Sequence, residues 1–234
     1  MLLYLVRHGD PIYETDTLTE RGKIQAESVG KRMQKIGIDQ IYSSPMGRAR
    51  ETAAPACRLL NLPCHIEDWA EEISWAIRTP YPDGKLISIS RLPVTTFRGD
   101  GRINLPFDRA LECLAVRDTR MGEAQAFLEM HFNDFMERLG YKAENGVYRI
   151  LRRNEDKVAL FCHGAMTRAL LSALFHIPVH MMWASVEPTH TGVTVLEFKN
   201  YEDGFTAPRC LCFSDLSHLY ADGLDTLHCN RISI

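Results

Sequence analysis

Two short apolar runs that each end in His-Gly constrain the fold of this chain more than any other feature. The first, Leu2 to Val6, leads into Arg7-His8-Gly9, and the second, Val158 to Phe161, leads into Cys162-His163-Gly164. Runs of this length are typical of buried strands in a parallel sheet. Because ligands bind outside the carboxyl ends of such strands, both histidines are expected at the edge of a pocket.

Helical periodicity alternates with strand-like runs along the rest of the chain. Apolar residues recur three and four positions apart between Thr19 and Gly37, and again from about Met121 to Leu139. Further strands are predicted near Ile41, near His65 and over Val193 to Phe198. The 234 residues suffice for one α/β domain. We therefore predict a single domain over residues 1–234, with a doubly wound, mostly parallel sheet and helices on both faces.

The segment that follows the Ile41 strand carries helix-start signals. Ser44 is a good N-cap residue, and Pro45 is a good first helical residue. Arg48 would then lie in the first helical turn, at the end of the helix that attracts anions. Pro55 is expected to end or kink this helix.

The stretch from Ile73 to Arg109 differs in texture from the rest of the chain. It has four prolines, three glycines and no clear period, which predicts an inserted lid over about 73–109. Six basic side chains against three acidic ones give it a net charge of +3, in a chain whose net charge is −3. A basic lid would attract anionic substrates. The alternative is a solvated insertion that packs on the flank of the domain.

Composition argues against several classes of function. The net charge of −3 gives no support for nucleic acid as a partner. No apolar run reaches the roughly 18–20 residues that span a bilayer. The nine histidines show no zinc-type spacing, so we predict no metal site. The seven cysteines lack CxxC spacing, and the chain start lacks a basic n-region and a cleavage site, so reduced thiols and a cytoplasmic location are predicted.

Further segments complete a pattern that spans residues 2 to about 198. They are Leu18-Thr19-x-x-Gly22 with Gln25-Ala26, the stretch Ser43 to Ala53, Ala70-Glu71-Glu72-Ile73, and Phe161 to Ala165. Together with the first His-Gly segment and in this order, they resemble the histidine phosphatase superfamily, also called the phosphoglycerate-mutase-like family. The resemblance implies the doubly wound fold described above.

The resemblance also implies roles for individual residues. His8 matches the family's nucleophile, and Arg7, Arg48 and His163 match its phosphate pocket. A doubly protonated His163 would add a third positive group, so that the site needs neither a metal nor another cofactor. The family's acid matches Glu72, which an apolar residue follows. The neighbouring Glu71 is the alternative, and a solvated acidic patch is a third interpretation.

The implied function is hydrolysis of a small phosphomonoester through a phosphohistidine. A mutase of the phosphoglycerate type is the alternative, but the mutases of the family carry Trp-Asn and Glu-Arg-His tracts where this chain has Ile12-Tyr13 and Glu72-Ile73-Ser74. A non-catalytic binding module is a third hypothesis, which the retained His8 and arginines disfavour. His190, in a loop before a strand, is left outside the predicted catalytic set. The sequence carries no signal for the oligomeric state.

Overall fold

The computed structural model describes residues 1–224, in which strands and helices alternate. The strands are β1 (Leu2–Arg7), β2 (Pro11–Ile12), β3 (Thr17–Leu18), β4 (Gln40–Ser43), β5 (Cys64–Ile66), β6 (Arg78–Pro80), β7 (Leu86–Ser88), β8 (Tyr141–Glu144), β9 (Val147–Ile150), β10 (Lys157–Cys162), β11 (Val193–Glu197), β12 (Phe205–Thr206) and β13 (Arg209–Asp215). The α-helices are α1 (Glu20–Ile36), α2 (Gly47–Leu60), α3 (Val94–Arg98), α4 (Met121–Arg138), α5 (Gly164–Phe175), α6 (Val179–Ser185) and α7 (Ser217–Ala221).

The chain divides into two compact units. The first comprises Met1–Glu71, Asn133–Gly164 and the chain from Pro188 onward, and the second comprises Glu72–Phe132 and Ala165–Glu187. The predicted insertion over 73–109 falls within the second unit. The single domain with a lid stays a prediction.

A six-stranded sheet forms the first unit, in the order β13-β11-β1-β10-β4-β5. The strands β1, β10, β4 and β5 run parallel, whereas β11 and β13 pair antiparallel. In the register of β1 with β10, Arg7 lies opposite Cys162. The residues that follow, His8 and His163, therefore leave the same edge of the sheet side by side.

Helices cover both faces of this sheet. On one face, Val29 and Met33 of α1 and Ala53 of α2 pack against Ile41 and Phe161 of the strands in a buried cluster. The next residue after Ile41 points to the opposite face. There the ring of Tyr42 meets Phe135 of α4, with centroids 4.9 Å apart. The predicted mostly parallel sheet with helices on both faces is thus confirmed.

The ends of α1 follow the sequence signals. Thr19 is the N-cap, and its side chain accepts a hydrogen bond from the Gly22 N–H. Gly37 ends the helix in the left-handed conformation, with φ of 73°, which glycine adopts without a steric penalty.

The predicted start of α2 is wrong, because the helix begins at Gly47 rather than at Pro45. The hydroxyl of Ser44 lies 2.8 Å from His163 Nε2, so it is engaged at the sheet edge. The helix N-terminus is instead capped from outside, by the Asp16 carboxylate that accepts the Gly47 N–H at 2.6 Å. Arg48 lies in the first turn, as the sequence predicts.

Pro55 does not end α2, which continues to Leu60. A Cβ placed on Gly30 of α1 would come within 2.8 Å of the Pro55 side chain, so the two helices cross closely at this point. Tertiary packing of this kind stabilises a helix against the loss of one backbone hydrogen bond.

Periodicity locates α4 correctly but not all of its buried face. The three- and four-residue spacing predicts Phe127 on the buried stripe of this helix, yet Phe127 is exposed, and Phe132 and Met136 are buried instead. The small hairpin of β2 and β3, the strand β8 and the helix α6 are too short for periodicity to signal.

Short elements and one long helix build the second unit. The β6–β7 hairpin and α3 belong to the segment that the sequence predicts as an insertion. The side chain of His180 on α6 contacts the Arg102 carbonyl at 3.0 Å, and Gln125 of α4 donates to Ser172 of α5.

Over residues 1–224, no helix is long and apolar enough to cross a membrane. Of the seven cysteines, Cys229 lies outside the described residues, and the other six are thiols.

Candidate active site

His8 follows β1 directly and is 1% exposed. Its Nδ1 lies 2.7 Å from the carbonyl oxygen of Gly9. A carbonyl only accepts hydrogen bonds, so Nδ1 carries the proton and Nε2 keeps its lone pair. The backbone thus presents His8 with Nε2 as its nucleophilic atom.

Gly9 allows the chain to turn close to helix α1. A Cβ at this position would lie 2.8 Å from the carbonyl oxygen of Gly22. The Gly9 N–H donates to the Thr52 hydroxyl of α2 at 2.9 Å. The glycine therefore lets the segment after His8 be held between α1 and α2.

His163 lies beside His8 at the end of β10. The ring centroids are 5.2 Å apart, and His163 is fully buried. Its Nε2 contacts Ser44, which follows β4. Three neighbouring parallel strands therefore deliver His8, His163 and Ser44 to one edge of the sheet.

Burial and nearby cations lower the pKa of both histidines. The pKa of His8 is held well below its usual value, first by burial and then by the charges of His163 and Arg7. Burial also lowers the pKa of His163, and Arg48 and Arg7 add to this effect. These shifts disfavour a doubly protonated His163 in the protein without a bound anion, so the third positive group stays a prediction for the phosphate-bound site.

Arg7 and Arg48 approach this pair from different elements. Arg7 donates from Nη1 to the Pro188 carbonyl, and its guanidinium lies against Gly164, where a Cβ would be 3.2 Å from Nε. Arg48 is 4% exposed and forms an ion pair with Asp16. The structure thus brings together His8, His163, Arg7 and Arg48, as the sequence predicts.

Tyr13 and Asp16 complete the surroundings of Arg48 and were not predicted. The Arg48 guanidinium lies 5.5 Å from the centroid of the Tyr13 ring, which meets His8 edge-on at 6.5 Å. Both residues come from the segment between Asp10 and Thr17, which no pattern in the sequence marks as part of the site. Their contacts depend on long-range packing that a local pattern does not encode.

His190 also lies next to the nucleophile, although it was left outside the predicted set. Its ring centroid is 5.5 Å from that of His8, and its Nδ1 lies 3.5 Å from an oxygen of Asp10. The available signal was the position of His190 just before β11, the antiparallel neighbour of β1. That adjacency becomes evident only once the strand order is known.

The two candidate acids differ sharply in their surroundings. Glu71 is exposed. Glu72, in the second unit, is half-buried, and its carboxylate accepts N–H groups from Ala165 and Met166 at 3.2 and 2.8 Å. These contacts fix the Glu72 side chain at the start of α5, but its role as the acid stays a prediction.

Residues 1–224 contain no group of three or more His, Cys, Asp or Glu side chains placed to hold a metal ion. The positive charge beside His8 comes from Arg7 and Arg48. Such a site can bind a phosphate dianion through charge-assisted hydrogen bonds.

Comparison with known families identifies one match. The family model described as histidine phosphatase superfamily (branch 1) matches residues 3–79 and 115–209. These ranges cover more than half of the chain and include His8, Glu72 and His163.

Among curated proteins, a probable phosphatase of Schizosaccharomyces pombe is 26% identical over 159 residues, which cover 67% of this chain and 47% of that protein. A probable phosphoglycerate mutase of Erwinia tasmaniensis is 39% identical over 67 residues, which cover 24% of this chain and 31% of that protein. The chain therefore spans less than half of the length of these relatives.

Among solved structures, phosphoserine phosphatase from Entamoeba histolytica, in complex with 3-phosphoglyceric acid, superposes with a TM-score of 0.60. The match covers 93% of this chain and 98% of that chain at 21% sequence identity. At this level of identity, the likeness establishes a common fold.

Proposed function

Because this chain belongs to the histidine phosphatase superfamily, branch 1, we propose that it is a cytoplasmic hydrolase of small phosphomonoesters that works through a phosphohistidine. The observation that carries the proposal is the buried His8. Its Nδ1–H donates to the Gly9 carbonyl, so Nε2 keeps the lone pair that can attack phosphorus. Arg7 and Arg48 supply positive charge beside it. A nucleophile with adjacent cations is what phosphoryl transfer through a covalent intermediate requires.

In the first step, Nε2 of His8 attacks phosphorus in line with the leaving oxygen. A P–N bond forms while the P–O bond breaks, and the leaving oxygen takes the electron pair of that bond. Arg7 and Arg48 stabilise the charge on the equatorial oxygens. Within residues 1–224, the buried Nε of Arg48 has no hydrogen-bond partner, so this donor is available to a phosphate oxygen.

Glu72 is proposed to give the leaving oxygen its proton. In the second step, water attacks the phosphohistidine, the P–N bond breaks, and its electron pair returns to Nε2 of His8. The ionised Glu72 takes a proton from that water, so the enzyme returns to its starting state. The backbone N–H groups that hold the Glu72 carboxylate support both roles, because proton transfer at a defined point requires a fixed group.

The runner-up is a phosphotransferase of the mutase type, which the similarity to a probable phosphoglycerate mutase favours. The two functions share the phosphohistidine and differ in what accepts its phosphoryl group. With phosphoglycerate as substrate, a hydrolase releases inorganic phosphate, whereas a mutase returns the phosphoryl group to the other hydroxyl. Product analysis by phosphorus NMR distinguishes them.

The proposed function is tested with a panel of phosphorylated metabolites in buffer with EDTA and no added metal. Since the cations of the site are side chains, we expect phosphate release from at least one substrate at a rate that EDTA does not change. A matched reaction with added Mg²⁺ or Zn²⁺ is the control. Loss of activity in EDTA that either ion restores would contradict the metal-free mechanism.

The segment 73–109 is proposed to select the substrate without taking part in the chemistry. It follows Glu72 in the sequence and has a net charge of +3. Arg98 is exposed, whereas Arg102 is 15% exposed and donates to the Thr95 carbonyl and to Asp100. Of these two arginines, Arg98 is therefore the one to change, because Arg102 makes hydrogen bonds within the segment.

We expect Arg98→Glu to raise KM for an anionic substrate several-fold and to leave kcat nearly unchanged, because only uniform binding is lost. The effect should shrink with salt, since exposed charges are screened over roughly 8–10 Å at physiological ionic strength. Arg209→Glu, an equal charge change at an exposed residue of β13, is the matched control. Equal KM values for the two variants at low salt would instead support the flank-packed insertion.

A further inference from the structure

His190 is held against the nucleophile by a pair of contacts within the first unit. Its side chain is 14% exposed, and its ring neighbours that of His8 at a centroid distance of 5.5 Å and an interplanar angle of 34°. The His190 ring is therefore packed against the ring of the nucleophile.

Asp10 fixes the orientation of the His190 ring. One carboxylate oxygen lies 3.5 Å from His190 Nδ1, and the other accepts the Thr19 hydroxyl at 2.8 Å. The Asp10 backbone N–H donates to Gln25 at 2.9 Å. Because Thr19 and Gln25 belong to the start of α1, Asp10 is held by a rigid element. A doubly protonated His190 forms an ion pair with this carboxylate through Nδ1 and has Nε2–H as its second donor.

The backbone next to His190 adopts a conformation that is costly for its residue type. Thr191 has φ of 55°, in the left-handed region that β-branched residues avoid, and it is fully buried. Its N–H donates to the carbonyls of Arg7 and His8 at 3.0 and 3.2 Å, and its hydroxyl meets His218 at 3.1 Å. Strain of roughly 1–3 kcal/mol persists only where surrounding contacts impose it, and it concentrates at functional sites.

We propose that His190 is a phosphoryl-binding residue, which carries a proton on both nitrogens when the phosphoryl group is bound and donates a hydrogen bond from Nε2 to an equatorial oxygen of the phosphoryl group under attack by His8. This inference rests on the proposed function. The leaving oxygen lies in line with the attacking Nε2 on the far side of phosphorus, so it is the oxygen farthest from His8. A side chain packed against the His8 ring therefore lies nearer to an equatorial oxygen than to the leaving oxygen.

The placement adds a third donor to those of Arg7 and Arg48. A doubly protonated His190 offers an Nε2–H beside Asp10, and this hydrogen bond adds to those of the two guanidinium groups. A hydrogen bond to a charged group contributes about 1.5–3 kcal/mol, which corresponds to roughly 10- to 100-fold in affinity.

Binding of orthovanadate and of inorganic phosphate to His190→Ala tests the inference by calorimetry, without requiring turnover. We expect roughly 10- to 100-fold weaker binding of both anions than to the wild type. His190→Gln, whose amide N–H can replace Nε2–H, should recover much of the loss. His65→Gln changes an exposed histidine of β5 in the same unit and serves as the matched control. Unchanged vanadate binding by His190→Ala would overturn the inference.

Kinetics separate anion binding from protonation of the leaving group. The fold loss in kcat/KM for His190→Ala should be the same with 4-nitrophenyl phosphate and with an alkyl phosphate, because an equatorial contact does not depend on the leaving group. A loss confined to the alkyl phosphate would make His190 the acid and refute the proposed contact. Absence of a phosphohistidine in the wild type would reject the proposed function itself, whatever the vanadate results.

Discussion

Replacing His8 with alanine is expected to lower kcat/KM by at least about 10⁴-fold and to abolish the covalent intermediate, because it removes the nitrogen that forms the P–N bond. In the wild type, samples quenched in alkaline detergent during turnover should carry phosphate that is stable in base and lost in acid. Peptide mapping should place that phosphate on His8. The substitution removes a buried side chain, so the thermal midpoint of the variant must be measured alongside its activity.

Two controls make this result specific to the nucleophile. His65→Ala removes an exposed histidine from the same unit and should leave both turnover and the labile phosphate unchanged. His8→Asn retains a polar side chain of similar reach but has no nucleophilic nitrogen, and it should be as inactive as the alanine variant. Turnover near that of the wild type in either His8 variant would show that the covalent mechanism is wrong.

The sequence predicts the part of the site that follows from strand ends. An apolar run that stops at a polar residue marks both the strand and the edge of the sheet, so His8 and His163 could be placed on one side before any pairing was known. The register of β1 with β10, in which Arg7 lies opposite Cys162, then places the two histidines side by side. Arg48 was placed for a similar reason, because helix-start signals bracket its position even though the helix begins at Gly47.

The remaining contacts depend on partners that are distant in the sequence. The Ser44 hydroxyl accepts the nearby Met46 N–H at 3.2 Å, as a helix-start signal implies, but its contact with His163 exists only because β4 lies next to β10. Likewise, the Asp16 carboxylate caps α2 from a loop about thirty residues earlier. Sequence periodicity contains no information about either distance, so both residues were missed as parts of the site.

The protonation state of His163 shows the same limit for electrostatics. Sequence alone indicates an imidazole near two arginines and suggests a third cation. The fold adds complete burial, and burial beside two guanidinium groups lowers the pKa of the His163 imidazole. A bound phosphate dianion balances the two guanidinium charges, so His163 can become charged when the substrate arrives.

Glu72 is the candidate for the group that gives the leaving group its proton. Its half-buried carboxylate is fixed by backbone N–H groups of Ala165, Met166 and Ile73, whereas Glu71 is exposed. A group that must deliver a proton at a defined point requires such a fixed position. The contrast between these adjacent residues of equal chemistry supports Glu72 and provides a matched pair of variants.

Glu72→Gln keeps the size of the side chain and removes the proton that it can transfer. General acid catalysis contributes typically about 10²–10⁴-fold, so kcat/KM with an alkyl phosphate should fall by that factor. With 4-nitrophenyl phosphate, whose leaving group departs without a proton, the loss in the rate of phosphoenzyme formation should be less than about tenfold. Burst kinetics measure that step separately from hydrolysis of the phosphohistidine.

Glu71→Gln should leave both substrates within about twofold of the wild type, because an exposed carboxyl without a fixed position has no means to direct a proton. If Glu71→Gln shows the dependence on leaving group and Glu72→Gln does not, the acid is assigned one residue too late. If neither variant does, the leaving oxygen takes its proton from another group. His190 would then be the first residue to test, because its ring lies 5.5 Å from that of His8. If His190→Ala lost activity only toward the alkyl phosphate, His190 would be the acid, and its assignment to an equatorial oxygen would be refuted.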